Sequence, residues 1–365
     1  MSKPVAPMNL GAAFHPFKVQ PAAACQPAGI CIPHHRARQA FESRRERGIL
    51  RVNTTVAPPR MGTAAPDRIT KEGPLASTTS LIQRTALVLE GGGFRGLFTS
   101  GALDILMERG IYGFASVWGV SAGALIGSSY VSRQVGRSAR INLAYRDDRR
   151  YMSPYQLATT GNIMSTTFLY ETVQNELDPF DYETFNNSPT AMWATLSDVV
   201  FGQPAYVRIE SLPEQTDYLR ASASLPVVSQ IVEIEGHRYL DGGTCDSVPV
   251  ERALQEPDVD RAVVVLTQER PYKKGPMALE AAARRMYGDF PYYLEALLNR
   301  HERYNAQRER IWELEAAGKI FVIAPEQPVG VGNMEHDGAK LLALYHQGRQ
   351  ATATRLPALA TFLGL

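Results

Sequence analysis

The chain is 365 residues long, 44% of them hydrophobic, with a formal net charge of +1 at pH 7. Such a chain can bury one large core, which excludes an intrinsically disordered protein, and its total charge carries no signature of a nucleic-acid partner. No stretch approaches the length of a membrane span, so the expectation is a soluble, cytoplasmic protein, at most peripheral to a bilayer.

The near-neutral total hides an asymmetry. Residues 1–80 hold eleven Lys and Arg against four Asp and Glu, together with ten of the 24 prolines. They show little sustained apolar periodicity and are expected to form a basic, Pro-rich, disordered leader, with residues 34–51 as the one run suited to a short helix. That run is either a solvated leader or a patch drawn to an anionic membrane surface. Nothing at the N-terminus has the apolar core of a signal peptide. Cys25, Cys31, His34 and His35 lack a standard zinc spacing, and the cysteines offer no disulfide framework, so no metal or other cofactor is expected.

The first strong strand is Thr85-Ala86-Leu87-Val88-Leu89-Glu90, apolar enough to be buried on both faces. It ends in Gly91-Gly92-Gly93-Phe94-Arg95-Gly96, and a helix follows with Phe98, Ala102, Ile105 and Leu106 on one face and Gly110 as its stop. The glycines also fit a dinucleotide-binding pattern, but that reading needs an acidic residue at the end of the next strand. The next strand instead ends in Gly119-Val120-Ser121-Ala122-Gly123, the G-x-S-x-G pattern of a nucleophile elbow. A serine there sits in a strained turn between strand and helix, and the glycines keep side chains out of the way. The two loops emerge side by side at the ends of parallel strands, where free N–H groups of the glycine run can serve an oxyanion hole.

Beyond the elbow, residues 138–148 and 170–177 are predicted as helices. Residues 191–200 and 205–209 are predicted as strands, with a turn at Phe201-Gly202-Gln203-Pro204. A helix over 218–224 runs into the small-residue stretch 221–226, a candidate wall of the active cleft. A hairpin, 231–234 and 237–240, then delivers Asp241 to the end of its second strand. A short helix over 248–254, strands over 261–266 and 320–323, and a closing helix over 338–347 complete the chain. Residues 277–319 form a helical insertion whose Tyr287, Phe290, Tyr292 and Tyr293 suit either core packing or a lip that meets acyl chains.

Taken together and in order, Gly-Gly-Gly-Phe-Arg-Gly, Gly-Val-Ser-Ala-Gly and Asp241-Gly242-Gly243 resemble the motifs of the patatin-like phospholipase (PNPLA) family. The resemblance runs from about Thr85 to the C-terminus. It implies an α/β, three-layer fold with a mostly parallel central sheet and helices on both faces, over a catalytic domain of residues 81–365, with the helices at 138–148 and 170–177 in a substrate-covering cap. It implies a serine acyl hydrolase of phospholipase A or lipid esterase type, with Ser121 as nucleophile, Asp241 as general base in a dyad, and Gly91, Gly92 and Gly93 as oxyanion hole. Arg95, Gly96, Gly119, Gly123, Gly242 and Gly243 support these motifs; Gly243 stands where many members have alanine, a neutral exchange of small residues. The implied partner is a lipid ester, with peripheral contact to an anionic membrane. Two alternatives stay open. One is an α/β-hydrolase with a Ser-Asp-His triad using His237, His301, His336 or His346; the other is a catalytically idle lipid-binding or regulatory protein on the same scaffold.

Overall fold

The computed structural model describes residues 80–365; the leader, its basic run and its Cys/His group lie outside the described residues. The chain begins with β1 (Thr85–Leu89), α1 (Gly96–Glu108), β2 (Ser116–Val120) and α2 (Ala122–Val131). It continues with α3 (Arg137–Tyr145), α4 (Pro154–Thr160), a π-helical segment (Phe168–Leu177) and α5 (Tyr182–Asn186). Then come β3 (Ala191–Asp198), β4 (Gln203–Ile209), α6 (Thr216–Ser222), β5 (Val232–Ile234), β6 (His237–Asp241), α7 (Val250–Ala253) and β7 (Arg261–Val265). The last part holds α8 (Glu280–Met286), α9 (Pro291–Leu298), α10 (Arg300–Ala316), β8 (Ile320–Ile323) and α11 (Gly338–Leu363).

The strands form one eight-stranded sheet in the order β5-β6-β3-β2-β1-β7-β8, with β4 also paired to β3. β3, β2, β1, β7 and β8 are parallel, while β4, β6 and β5 join antiparallel. The sheet is therefore mostly parallel and covered on both faces. Strand alternation explains the layers: Leu87, Leu89, Val117, Val263 and Val265 point into one core with α1, α2 and α11, and Ala86, Val88, Trp118, Ala262 and Val264 into a second with α7 and α10.

Three expectations change in detail. The β3–β4 turn is tighter than Phe201–Pro204, because Asp198 Oδ1 accepts the N–H groups of Val200 and Phe201 at 2.8 and 2.9 Å. Pro204 thereby enters β4, which pairs only with β3, and an edge strand tolerates the missing N–H. The closing helix does not stop at residue 347 but runs to Leu363 through Pro357, since Ala351, Leu359 and Leu363 continue its buried face. Tyr287 and Tyr293 belong to a third core cluster with Val199 and Leu240, so this aromatic pair is packing, while Tyr292 is exposed.

α11 lies on α1 at backbone contact. A Cβ on Gly101 would stand 2.1 Å from the Tyr345 carbonyl oxygen, and one on Gly348 2.0 Å from that of Phe98. Tyr345 also donates to Asp104 Oδ2 at 2.8 Å, and Arg349 pairs with Glu108. Because neither backbone can retreat without breaking helix hydrogen bonds, Gly348→Val is expected to destabilise the protein by about 2–4 kcal/mol, read as a lower urea midpoint at unchanged m-value.

Candidate active site

β2 and β6 share one edge of β3. Along that edge Val120 pairs with Thr195 in parallel, and the next residue, Leu196, pairs with Asp241 antiparallel. β4 occupies the other edge throughout, so β2 and β6 run toward each other and stop at the same point. Ser121 follows the end of the first and Asp241 closes the second, which brings together two residues 120 positions apart in the chain.

Ser121 has φ 56° and ψ −126°, a conformation that a non-glycine residue holds only under strain, and it caps α2. The turn is this sharp because α2 packs directly on β2: a Cβ on Gly119 would lie 2.4 Å from Ala124 Cα, and one on Gly123 2.6 Å from the Leu89 oxygen. The Ser121 N–H donates to Ser222 Oγ at 3.0 Å, and that hydroxyl donates to the Thr195 oxygen at 2.8 Å. The small residues at the end of α6 therefore tie the turn to β3, as a wall of the cleft should.

Asp241 is 3% exposed. Its N–H donates to the Ser224 oxygen, and its Oδ1 accepts the Gly243 N–H at 2.8 Å. Oδ2 is buried with no partner of good hydrogen-bond geometry among the described residues. Burial raises the pKa of this carboxyl above the ordinary range; the Arg300 charge, the facing Ser121 hydroxyl, the Gly243 N–H and the Lys274 charge pull it back only in part.

Two cavities meet at Ser121. One is polar and is lined by Gly91, Gly92, Gly93, Arg95, Ser121, Asp241 and Gly243 of the sequence-predicted set. The other is lined mostly by apolar side chains, including Phe94, Leu125, Ile126, Ile141, Met152 and Leu169. No backbone N–H of Gly91, Gly92 or Gly93 donates a hydrogen bond within the described residues. Gly96, Gly119, Gly123 and Gly242 line neither cavity and act behind the site: Gly119, Gly123 and Gly242 where backbones close on one another, and Gly96 against the Ile126 and Ala122 side chains. Among the described residues no histidine lines either cavity. His237 is half exposed beside Asp198, and His301 and His336 face backbone oxygens.

Residues 87–254 match the model of the family described as Patatin-like phospholipase. The chain carries a patatin-like phospholipase domain. A second match, over residues 290–364, is to a domain of unknown function (DUF6363). The chain is 28% identical to the uncharacterized protein YjjU of Escherichia coli over 74% of its own length and 76% of that protein. It is 27% identical to the uncharacterized NTE family protein Rv1063c of Mycobacterium tuberculosis, over 46% of this chain and 44% of the other. It is also 30% identical to Lysophospholipase NTE1 of Candida glabrata, over 46% of this chain and only 10% of that much longer protein. Among solved structures, VipD from Legionella pneumophila aligns over 76% of this chain and 67% of its own with a TM-score of 0.39 and 13% identity.

The patatin-like domain does not line its polar cavity alone. Lys274, Arg300, Tyr304 and Asn333 lie outside the matched residues 87–254, and sequence reasoning missed them, as it missed Glu90 as a lining residue. A signal was present: Arg300, Tyr304, Arg308 and Trp312 recur every fourth residue of α10, one helical stripe of cations and aromatics. A Cβ on Gly243 would stand 2.8 Å from Arg300 Nη2, the far end of a flexible side chain, and 3.0 Å from Asp241 Oδ1.

The raised pKa of Asp241 has a signed consequence for stability. An unfolded aspartate ionises near 3.9, so above its higher folded pKa the native state bears the cost of a buried charge, and below about 3.9 it bears none. Asp241→Asn, which keeps the acceptor for Gly243, is expected to raise stability at pH 8. The gain should shrink toward zero as the pH falls to 4, followed by thermal melts across that range.

Proposed function

We propose that this chain is a serine acyl hydrolase that cleaves fatty acyl esters of lipids, with residues 81–365 as its catalytic domain. The observation that carries the reading is the meeting of a strained serine and a buried carboxylate whose Oδ2 has no other good partner among the described residues, at the border of an apolar and a polar cavity. The name of the Candida glabrata relative, a lysophospholipase, agrees with the same class.

In this mechanism the Ser121 hydroxyl attacks the ester carbonyl while its proton passes to Asp241 Oδ2. The glycine amides at 91–93, without a partner among the described residues, donate to the oxyanion that forms. Collapse of the tetrahedral intermediate expels the alcohol, which takes the proton from Asp241. Water then attacks the acyl-enzyme, giving its proton to the same carboxylate, and the fatty acid leaves as Ser121 is restored. The raised pKa makes the carboxylate a better proton acceptor than an exposed aspartate. The apolar cavity suits the acyl chain. A triad finds no support, because no histidine lines either cavity among the described residues.

Ser121→Ala is expected to abolish ester hydrolysis in a folded protein, and Asp241→Ala to lower turnover about a hundred- to ten-thousandfold. Single replacement of His237, His301, His336 or His346 should cost less than about tenfold. One histidine variant as inactive as Asp241→Ala, with its fold verified by circular dichroism, would return the chain to the triad hydrolases. The pH profile offers a separate check. Since the base acts ionised, kcat/KM should rise with pH through an acid limb lying above about 3.9, displaced upward by burial.

A further inference from the structure

The apolar cavity follows α2 away from the nucleophile. Ala122, Leu125, Ile126 and Ser129 line it at the spacing of one helical face, with Ile141 of α3 and Leu169 of the π-helical segment at its sides. Ser129 stands eight residues beyond Ser121, about 12 Å along the helix axis. At that depth the lining is polar. Arg137 Nη2 donates to Gln174 Oε1 at 2.7 Å and to the Asp178 carbonyl oxygen at 2.9 Å, and Nη1 donates to Ser129 Oγ at 3.5 Å. Nε lies 3.5 Å from Asp178 Oδ1, and the guanidinium carbon is 5.1 Å from the centroid of the Phe180 ring.

Gln174 reaches this place because its segment is wound as a π-helix. The i→i+5 pattern sets it on nearly the same face as Leu169, five residues earlier, and both line the cavity. An α-helix would turn the two about 140° apart. Arg137 itself is 3% exposed. Burial brings its pKa down to about 10, against the upward pull of Asp178, so it is charged at neutral pH. Such a floor does not yield to an alkyl chain. Moving the guanidinium aside would strip a buried charge of its contacts with Gln174 and Asp178, a larger loss than a few extra buried methylenes can offset.

We propose that Arg137, held by Gln174 and Asp178, closes the far end of the acyl cavity and makes the chain selective for esters of medium-chain acids. An extended alkyl chain with C–C bonds of about 1.5 Å advances about 1.3 Å per carbon, so a depth of about 12 Å takes about eight to ten carbons. A longer chain meets the guanidinium before its carbonyl reaches Ser121. The inference rests on the hydrolase reading above and adds to it the length of the acyl group and the residues that set it.

The test uses the full chain and the butyryl, octanoyl, lauroyl and palmitoyl esters of nitrophenol. From butyryl to octanoyl kcat/KM should rise by about tenfold or more as methylenes are buried, and from octanoyl to palmitoyl it should fall by at least about tenfold. Arg137→Ala should raise the palmitoyl-to-octanoyl ratio by at least about tenfold, Gln174→Ala should move it the same way, and Arg137→Lys, which keeps the charge, should leave it near the wild-type value. The ratio is the readout because a general loss of folded protein lowers both rates alike. Gln174 is half-buried and uncharged, so its variant decides the matter should Arg137→Ala not fold. A wild-type profile that climbs unbroken to palmitoyl, or a ratio unmoved in the folded Ala variants, would overturn the floor. Failure to hydrolyse any ester would instead refute the hydrolase reading. Calorimetry of the same chains with octanoate and palmitate, below their micelle concentrations, then decides the floor. Tighter binding of octanoate, reversed in the Ala variants, supports it, and palmitate bound as tightly or more tightly by the wild type overturns it.

Discussion

The site depends on the way two strands end against a third. β3 is long enough to pair with β2 over its first half and with β6 over its second, and the register leaves no gap between Thr195 and Leu196. A parallel and an antiparallel neighbour thereby present their carboxyl ends to each other. Short hydrogen bonds seal the junction: Ser222 Oγ bridges the Ser121 N–H and the Thr195 oxygen, and Ser197 Oγ donates to the Asp241 oxygen at 2.8 Å. Gly242 is forced by the same crowding, since a Cβ there would lie 2.1 Å from the Thr195 oxygen. A displacement along β3 by one residue would move Asp241 by over 3 Å and turn its side chain to the other face of the sheet.

That junction also explains the electrostatics. A strand end buried under helices on both faces holds its carboxylate away from water, and the fold offsets the penalty only in part. The nearest compensation comes from α10, whose Arg300 reaches toward Gly243 and Asp241. The same helix stabilises Glu90 at the end of β1 through the Tyr304 hydroxyl. Behind it, α8 and α9 support the wall opposite: the Tyr287 hydroxyl accepts the N–H of Val227, whose φ of 72° marks a strained loop next to Leu225. The helices of residues 277–319 are thus part of the site's construction.

The parts legible in the sequence are those written by local rules. Apolar runs of strand length, the glycines around Ser121 and the hairpin before Asp241 each constrain a few neighbouring residues, so β1, β2, β5, β6 and the elbow lie close to where the pattern puts them. The family resemblance added the mostly parallel sheet with helices on both faces. The extent of α11 was not legible, because its second half is held by a buried face against other elements rather than by its own periodicity, and Pro357 argues locally against it. Nor was the choice between core and lip for the aromatic cluster, which depends on what Tyr287 and Tyr293 meet.

By itself, then, the sequence determined which serine stands at a strained turn, which aspartate ends a strand, and which strands carry them, since these follow from spacing within segments of a few residues. Only the tertiary structure decided that the two strands stop at one point of β3, that no histidine lines the cavities among the described residues, and that Lys274, Arg300 and Tyr304 do. The physical reason is one of range. A cation on a helix has the same local pattern whether it faces water or a buried carboxylate, and which of these it meets is set by the packing of α10 on the sheet.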